Sequence, residues 1–190
     1  GSHSLAGLFK GQGRWFRQKS VEKVMAELEY HVSKYNPEFV YIMSDSFLAD
    51  SFQRIKTFTD AYKKFSLPFW FNTRPESITP ENARLMKEAG CARVSIGIES
   101  GNESFRRKVL HRDVSNERML EAGRILHDFN ISFSVNIIIG FPHETREMIF
   151  DSIRLCRQIN SDGVSTHIFN PYHGTELRDV CVREGYIDPD

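Results

Sequence analysis

"VSIGIESGNE", residues 94–103, is the stretch on which the fold turns. Val94, Ile96 and Ile98 alternate onto one face of a strand, leaving Ser95, Gly97 and Glu99 on the other. A strand covered on both sides seldom puts a carboxylate and a glycine on one of them, because a buried unpaired charge is costly. The same asymmetry recurs further on. In "FSVNIIIG", residues 133–140, Phe133, Val135, Ile137 and Ile139 oppose Ser134, Asn136, Ile138 and Gly140. In "VSTHIF", residues 164–169, Val164 and Ile168 oppose Ser165 and His167. A parallel sheet with helices on both sides should be apolar on both faces. These strands instead suit a barrel with helices outside and a lumen that receives a polar ligand.

The surrounding pattern supplies the helices. "SVEKVMAELEYHVSKY", residues 20–35, has apolar residues at helical spacing behind a Ser20 cap. "EFVYIM" (38–43) reads as a strand, "DSFQRIKTFTDAYKKF" (50–65) as a helix and "LPFWFNT" (67–73) as a strand. "TPENARLMKEAG" (79–90) is a helix with Thr79 as cap, Pro80 in the first turn and Gly90 at its close. Helices over 115–129, 145–159 and 174–185 then alternate with the strands at 131–140 and 163–169. Five strands joined by helical crossovers must run parallel. Functional residues on such a barrel gather where strands end and helices begin, which is where Asp45, Arg74, Glu99 and Pro142 fall.

Composition narrows the function classes. The 190 residues suffice for one domain with a core, and 40% hydrophobic with 26% charged residues is ordinary for a globular protein. Lys plus Arg and Asp plus Glu each total 25, so no net field draws nucleic acid or an acidic membrane. No apolar run approaches the roughly 18 residues of a membrane span. Cys91, Cys156 and Cys181 are an odd, scattered set, which argues against a disulfide framework and fits a reducing cytoplasm. "GSHS", residues 1–4, reads as the remnant of a cleaved tag, leaving residues 5–190 as a single domain.

Residues 78–119, "ITPENARLMKEAGCARVSIGIESGNESFRRKVLHRDVSNERM", followed by "NIIIGFPHETREM" and "NPYHGTEL", carry a resemblance to the radical S-adenosylmethionine superfamily. They are most similar to the branch that often has an N-terminal cobalamin-binding domain. The resemblance runs from about Arg14 to Gly185. It implies an α/β fold, a partial (β/α)6 TIM-like barrel of parallel strands with outer helices. It also implies that S-adenosylmethionine lies across the strand ends and chelates a four-iron–four-sulfur cluster. The family's CxxxCxxC loop, which holds that cluster after the first strand, has no counterpart here. The expectation is therefore a barrel without its first strand, with cluster ligands outside this chain and cobalamin in a separate domain.

The resemblance also assigns roles to residues. Glu99 would reach the ribose or amino group of S-adenosylmethionine, with Ser95 and Gly97 lining an open lumen; alternatively, Glu99 caps the turn that follows it. Arg112 resembles the family arginine that pairs with the methionine carboxylate, for which a planar fork suits better than an ammonium. Ile138 would pack the adenine, Gly140 would let backbone approach it, and Asn136 stands where the family has a first glycine. Gly140 and Pro142 would also serve simply to turn the chain out of a strand. Ser44 and Asp45 occupy the place of a Gly-Gly-Glu motif that holds the ligand's amino group, although Asp45 is equally suited to capping the next helix. Asn72 and Arg74 would sit in the lumen or on its rim. Backbone near Phe169 and Asn170 would meet adenine.

Two other classes fit some of these residues. A metal-dependent barrel hydrolase would use His111, His143, His167 and His173 near the strand ends, though no His-x-His or His-Glu-x-x-His spacing is present. A non-catalytic barrel would keep the fold without the cluster. The expected partner is a small molecule of unknown identity, with neither nucleic acid nor membrane. A homodimer through the apolar "EFVYIM" edge is also expected, unless residues 5–16 cover that edge.

Overall fold

The computed structural model describes residues 10, 11 and 18–189. Its elements are α1 (Val21–Tyr35), β1 (Val40–Ile42), α2 (Phe52–Tyr62), β2 (Phe69–Thr73), α3 (Pro80–Glu88), β3 (Cys91–Glu99), α4 (Glu103–Lys108), α5 (Asn116–Asp128), β4 (Ser132–Ile139), α6 (Arg146–Ile159), β5 (Gly163–Ile168) and α7 (Glu176–Arg183). The strands form one sheet in the order β1-β2-β3-β4-β5, and every neighbouring pair is parallel. Sequence order in space follows from helical crossovers that each return the chain to the adjacent position. This is the expected α/β architecture.

Capping fixes where the helices begin. Ser20, Ser51, Thr79, Ser115, Thr145 and Thr175 each accept a hydrogen bond from the backbone N–H three residues on. Gly90 leaves α3 at φ +89°, a left-handed turn that favours glycine. The short helix α4 has no strong apolar period and is not evident in the sequence. It starts because Asn102 Oδ1 accepts from Phe105 N at 2.9 Å.

The core lies between the sheet and the helices. Phe69, Phe71, Val94, Ile96, Ile98, Phe133, Val135 and Ile137 project outward from β2, β3 and β4 into it, alongside Ile55, Tyr62, Leu85, Met86, Met119, Leu126 and Leu155 from the helices. The opposite faces of these strands carry Trp70, Asn72, Arg93, Ser95, Gly97, Ser134 and Asn136, as strand alternation requires.

One expectation about the faces fails at β5. Its outward residues Val164 and Ile168 are 50% and 80% exposed instead of lying under a helix. The reason is the course of α7, whose first residues line a cavity at the strand ends and whose one buried residue is Cys181. Apart from Lys10 and Gly11, residues 1–17 are outside the described part. This includes the tag-like Gly1–Ser4 and most of the 5–16 segment considered as an edge cover.

Candidate functional site

The site begins with an irregularity in β3. The pairing of β3 with β4 shifts register between Gly97 and Glu99, and Glu99 adopts φ +61°. A left-handed backbone costs a non-glycine residue free energy, so it persists only where surrounding structure imposes it. The effect is to bring the Glu99 carboxylate back over Gly97. A Cβ at position 97 would lie 2.6 Å from Glu99 Oε1 and 3.6 Å from Arg112 Nη1. Glycine is therefore what leaves room for the pair.

Arg112 arrives from the other side of the β3–α5 connection. Its Nη1 donates to Glu99 Oε1 at 2.6 Å. The rest of the guanidinium is unspent, because Nε and Nη2 are buried without a hydrogen-bond partner. Those two nitrogens form one edge of the planar fork, the edge that accepts a carboxylate bidentately. Burial pushes the Glu99 carboxyl above the usual range, with Arg112 beside it pulling the other way. Such an environment favours a hydrogen-bonded ligand over bulk water.

The connection carrying Arg112 is held by Arg106, which is fully buried. Arg106 Nη1 donates to Ser100 O, while Nε and Nη2 donate to Val114 O at 3.2 and 2.5 Å. Nη2 also donates to Asn116 Oδ1 at 2.8 Å, and Arg106 O accepts from Arg112 N at 3.1 Å. One side chain thus ties the residue after Glu99 to the residues after Arg112. Asn102 is the helix cap here, so the capping role considered for Glu99 is filled by a different residue.

Above the pair is a cavity of about 300 Å³ lined by Glu99, Leu110, Arg112, Ile138, Phe141 and Phe169, with Glu176 and Leu177 of α7 on its outer side. Phe141 packs between Phe105 and Phe169 with its ring tilted against both, the centroids 5.8 and 4.8 Å away. Gly140 turns the chain at φ +83°. Its N–H and that of Phe141 donate to Glu144 Oε2 at 2.6 and 3.4 Å. Glu144 thus holds the turn that carries Phe141, a supporting role that the sequence reading passed over. Its place four residues after Gly140 was the available signal.

The remaining sequence candidates separate by depth. Ser95 lies in the lumen with its hydroxyl engaged, 3.3 Å from Ser134 Oγ and 3.0 Å from the donating Asn136 Nδ2. Asn72 donates to the Tyr41 hydroxyl at 2.7 Å. Arg74 is exposed at the end of β2, close enough for its charge to act on Glu99. Ser44 and Asp45 are exposed beyond β1 and do not line the cavity, and the cap of α2 is Ser51 rather than Asp45.

The histidines do not assemble as metal ligands. His111 Nε2 is 3.5 Å from Glu176 and His143 Nε2 is 3.1 Å from Glu184. Among the described residues no three His, Cys, Asp or Glu side chains converge on a point where a metal ion could sit. The hydrolase reading lacks its constellation, and these residues equally offer no cradle for an iron–sulfur cluster. The unpartnered arginine edge beside the Glu99 carboxylate does fit a zwitterionic ligand bearing a carboxylate.

Comparison with known proteins identifies relatives of this chain. A sequence model of the Radical SAM superfamily matches residues 3–156. An uncharacterized methyltransferase of Pyrococcus horikoshii is 25% identical over 176 residues, 92% of this chain and 38% of that protein. The cytidylyl-2-hydroxyethylphosphonate methyltransferase of Streptomyces wedmorensis is 24% identical over 94% of this chain and 35% of its own length. The chain thus spans little more than a third of these relatives. Among solved structures, the radical S-adenosylmethionine methyltransferase TsrM of Kitasatospora setae, with cobalamin and a [4Fe-4S] cluster bound, superposes with a TM-score of 0.73. It shows 17% identity and covers 87% of this chain and 34% of that one.

Proposed function

The chain belongs to the radical SAM superfamily, and from that premise we propose that its strand-end cavity binds S-adenosylmethionine for methyl transfer or related radical chemistry on a small-molecule substrate. Bound to its cluster, S-adenosylmethionine supplies the reductive cleavage that starts such chemistry. This chain's residues contribute binding and orientation. Arg112 receives the methionine carboxylate on its Nε and Nη2 edge. Glu99 accepts from an ammonium or ribose hydroxyl while keeping Arg112 aimed. Ile138, Phe141 and Phe169 give an apolar bed to a flat base, and Gly140 keeps its approach open. The cluster is left to ligands other than these residues, and cobalamin to a separate domain.

The observation that carries this reading is the buried, unspent edge of Arg112 next to a carboxylate. Partners on the same reading are the small molecule and a second copy of the chain, with no nucleic acid, as the balanced charge supports. Three buried, unpaired cysteines favour a cytoplasmic setting.

The test is equilibrium binding of S-adenosylmethionine. Glu99→Gln keeps shape and loses charge, and Arg112→Lys keeps charge and loses the fork. Each weakens binding by roughly 1–3 kcal/mol, the size of a lost charge-assisted hydrogen bond. His143→Ala, on the rim, should leave affinity within about threefold, well under that loss. Unchanged affinity in both site variants overturns the assignment.

A further inference from the structure

Arg93 lies at the opposite end of the lumen and plays no part in the site above. It shares the inward face of β3 with Ser95 and Gly97 and pairs in register with Trp70 of β2 and Ser132 of β4. Its guanidinium carbon is 5.7 Å from the centre of the Trp70 ring. Its Nη2 reaches to 3.3 Å from where a Cβ would stand on Gly163, so the side chain crosses the floor from β3 to β5. Among the described residues it has no carboxylate within ion-pair distance.

Two neighbouring residues there each leave a donor without an acceptor. Arg93 Nε and Trp70 Nε1 are both buried and both lack a hydrogen-bond partner. Buried donors left unmade are expensive, and native folds rarely keep two together without a ligand or water to satisfy them. The walls above suit a ligand as well. On the inward faces of β2 to β5, the charged residues are Arg93 at the floor and Glu99 at the rim, where His167 also stands, and Glu99 is already paired. Between them stand Asn72, Ser95, Ser134, Asn136 and Ser165, which are neutral and rich in hydrogen-bonding groups.

We propose that the lumen floor is an oxyanion subsite in which Arg93 and Trp70 hold a phosphoryl or carboxylate group of the substrate. This rests on the reading that S-adenosylmethionine occupies the strand-end cavity, and it names the class of molecule that lies beneath it. Gly163, where the guanidinium ends, pairs with Ser134, and Ile138 of the cavity is four residues above. At about 3.3 Å per residue the oxyanion sits roughly 13 Å from the cavity. The substrate is therefore an extended, polar molecule with an anionic end.

The experiment uses Trp70 as reporter. Trp15→Phe removes the second tryptophan, and emission is followed during titration with inorganic phosphate and, separately, acetate. Sodium chloride at matched ionic strength is the control. The expected result is a saturable change with one or both oxyanions. Arg93→Gln should weaken it by at least about tenfold, as loss of a charge-assisted contact does. Arg93→Lys should weaken it by about threefold or more, since an ammonium lacks the fork. The lysine variant decides the matter if the glutamine variant does not fold. The proposal is overturned by the absence of a saturable response, by an equal response to chloride, or by an undiminished response in the folded Arg93 variants. S-adenosylmethionine binding, measured on the same proteins, should be weakened in Arg112→Lys and kept in Arg93→Gln. Failure of that arm counts against the cavity assignment, and failure of the phosphate and acetate arm counts against the floor.

Discussion

β4 and β5 are neighbours with the same alternating pattern and opposite surroundings. The outward residues Phe133, Val135 and Ile137 of β4 are 0%, 0% and 4% exposed, while Val164 and Ile168 of β5 are 50% and 80% exposed. Alternation decides which way a side chain points; only tertiary packing decides whether anything lies there to meet it. α5 and α6 press on β4 through Met119, Leu126, Leu155 and Ile159. α7 instead sends its first turn to the strand-end cavity and leaves the outer face of β5 bare. The centre of the sheet is thus a completed core under a candidate site, and its margins are surfaces.

The sharpest way to break this contrast is to truncate matched positions. Phe133→Ala empties a sealed site in the middle of the core and should cost about 3–5 kcal/mol of unfolding free energy. Ile168→Ala removes an apolar side chain already in water, so the change should stay within about 0.5 kcal/mol. Urea unfolding of the two variants measures both. Equal losses would mean that β5 is as well packed as β4.

pH probes the sealed side by a different route. Burial pushes the Cys91 thiol at the start of β3 up to about 12, and it pushes the Tyr62 hydroxyl, which packs beneath β2, to about 12 as well. Both groups ionise in the unfolded chain before they ionise in the fold. Their stabilisation is therefore complete below the ordinary thiol and phenol values and is lost as pH rises toward 12. For Cys91 the raised value corresponds to a loss on the order of 4 kcal/mol across that window. Cys91→Ala should flatten the decline of stability above pH ~9 while shifting the neutral-pH value far less. An unchanged slope would place the thiol in contact with water.

These contrasts also show which parts of the fold the sequence exposes. Strand faces, helix caps and the order of elements are local properties, so Ser20, Thr79 and the alternation of β3 and β4 were readable. The place of Glu99 and Arg112 was readable through motif resemblance. Their contact, and the free edge it leaves on Arg112, depend on a register shift and a left-handed residue that no local pattern announces. Nothing in "SFRRK" distinguishes Arg106 from its neighbours, yet it is fully buried, with four hydrogen bonds to three acceptors, Ser100 O, Val114 O and Asn116 Oδ1. The bare face of β5 was missed for the converse reason. Val164 and Ile168 have the spacing of core residues, and the helix that would cover them runs elsewhere.

The smallest expected effect concerns the other margin. Among the described residues β1, three residues long, has one neighbouring strand, with Phe39, Tyr41 and Met43 59%, 38% and 80% exposed around it. Val40 N donates to Pro68 O at 3.0 Å, so Val40 and Ile42 face β2. In a parallel ladder the intervening Tyr41 must direct its N–H and C=O to the open edge. An unpaired edge of this kind is a template for another chain, and we propose that a second copy occupies it. With so few backbone bonds available the association is weak, with a Kd nearer the millimolar end of the scale, about −4 kcal/mol. Sedimentation equilibrium should show average mass rising with concentration. Tyr41→Pro deletes the outward donor and leaves the ladder to β2 intact, so it should hold the chain monomeric. Unlike the core truncation, it should cost little stability at the centre of the sheet, because Phe133 and its neighbours do not touch that edge. A wild-type chain that stays monomeric at the highest concentrations would show that this margin, like the outer face of β5, faces only water in the isolated chain.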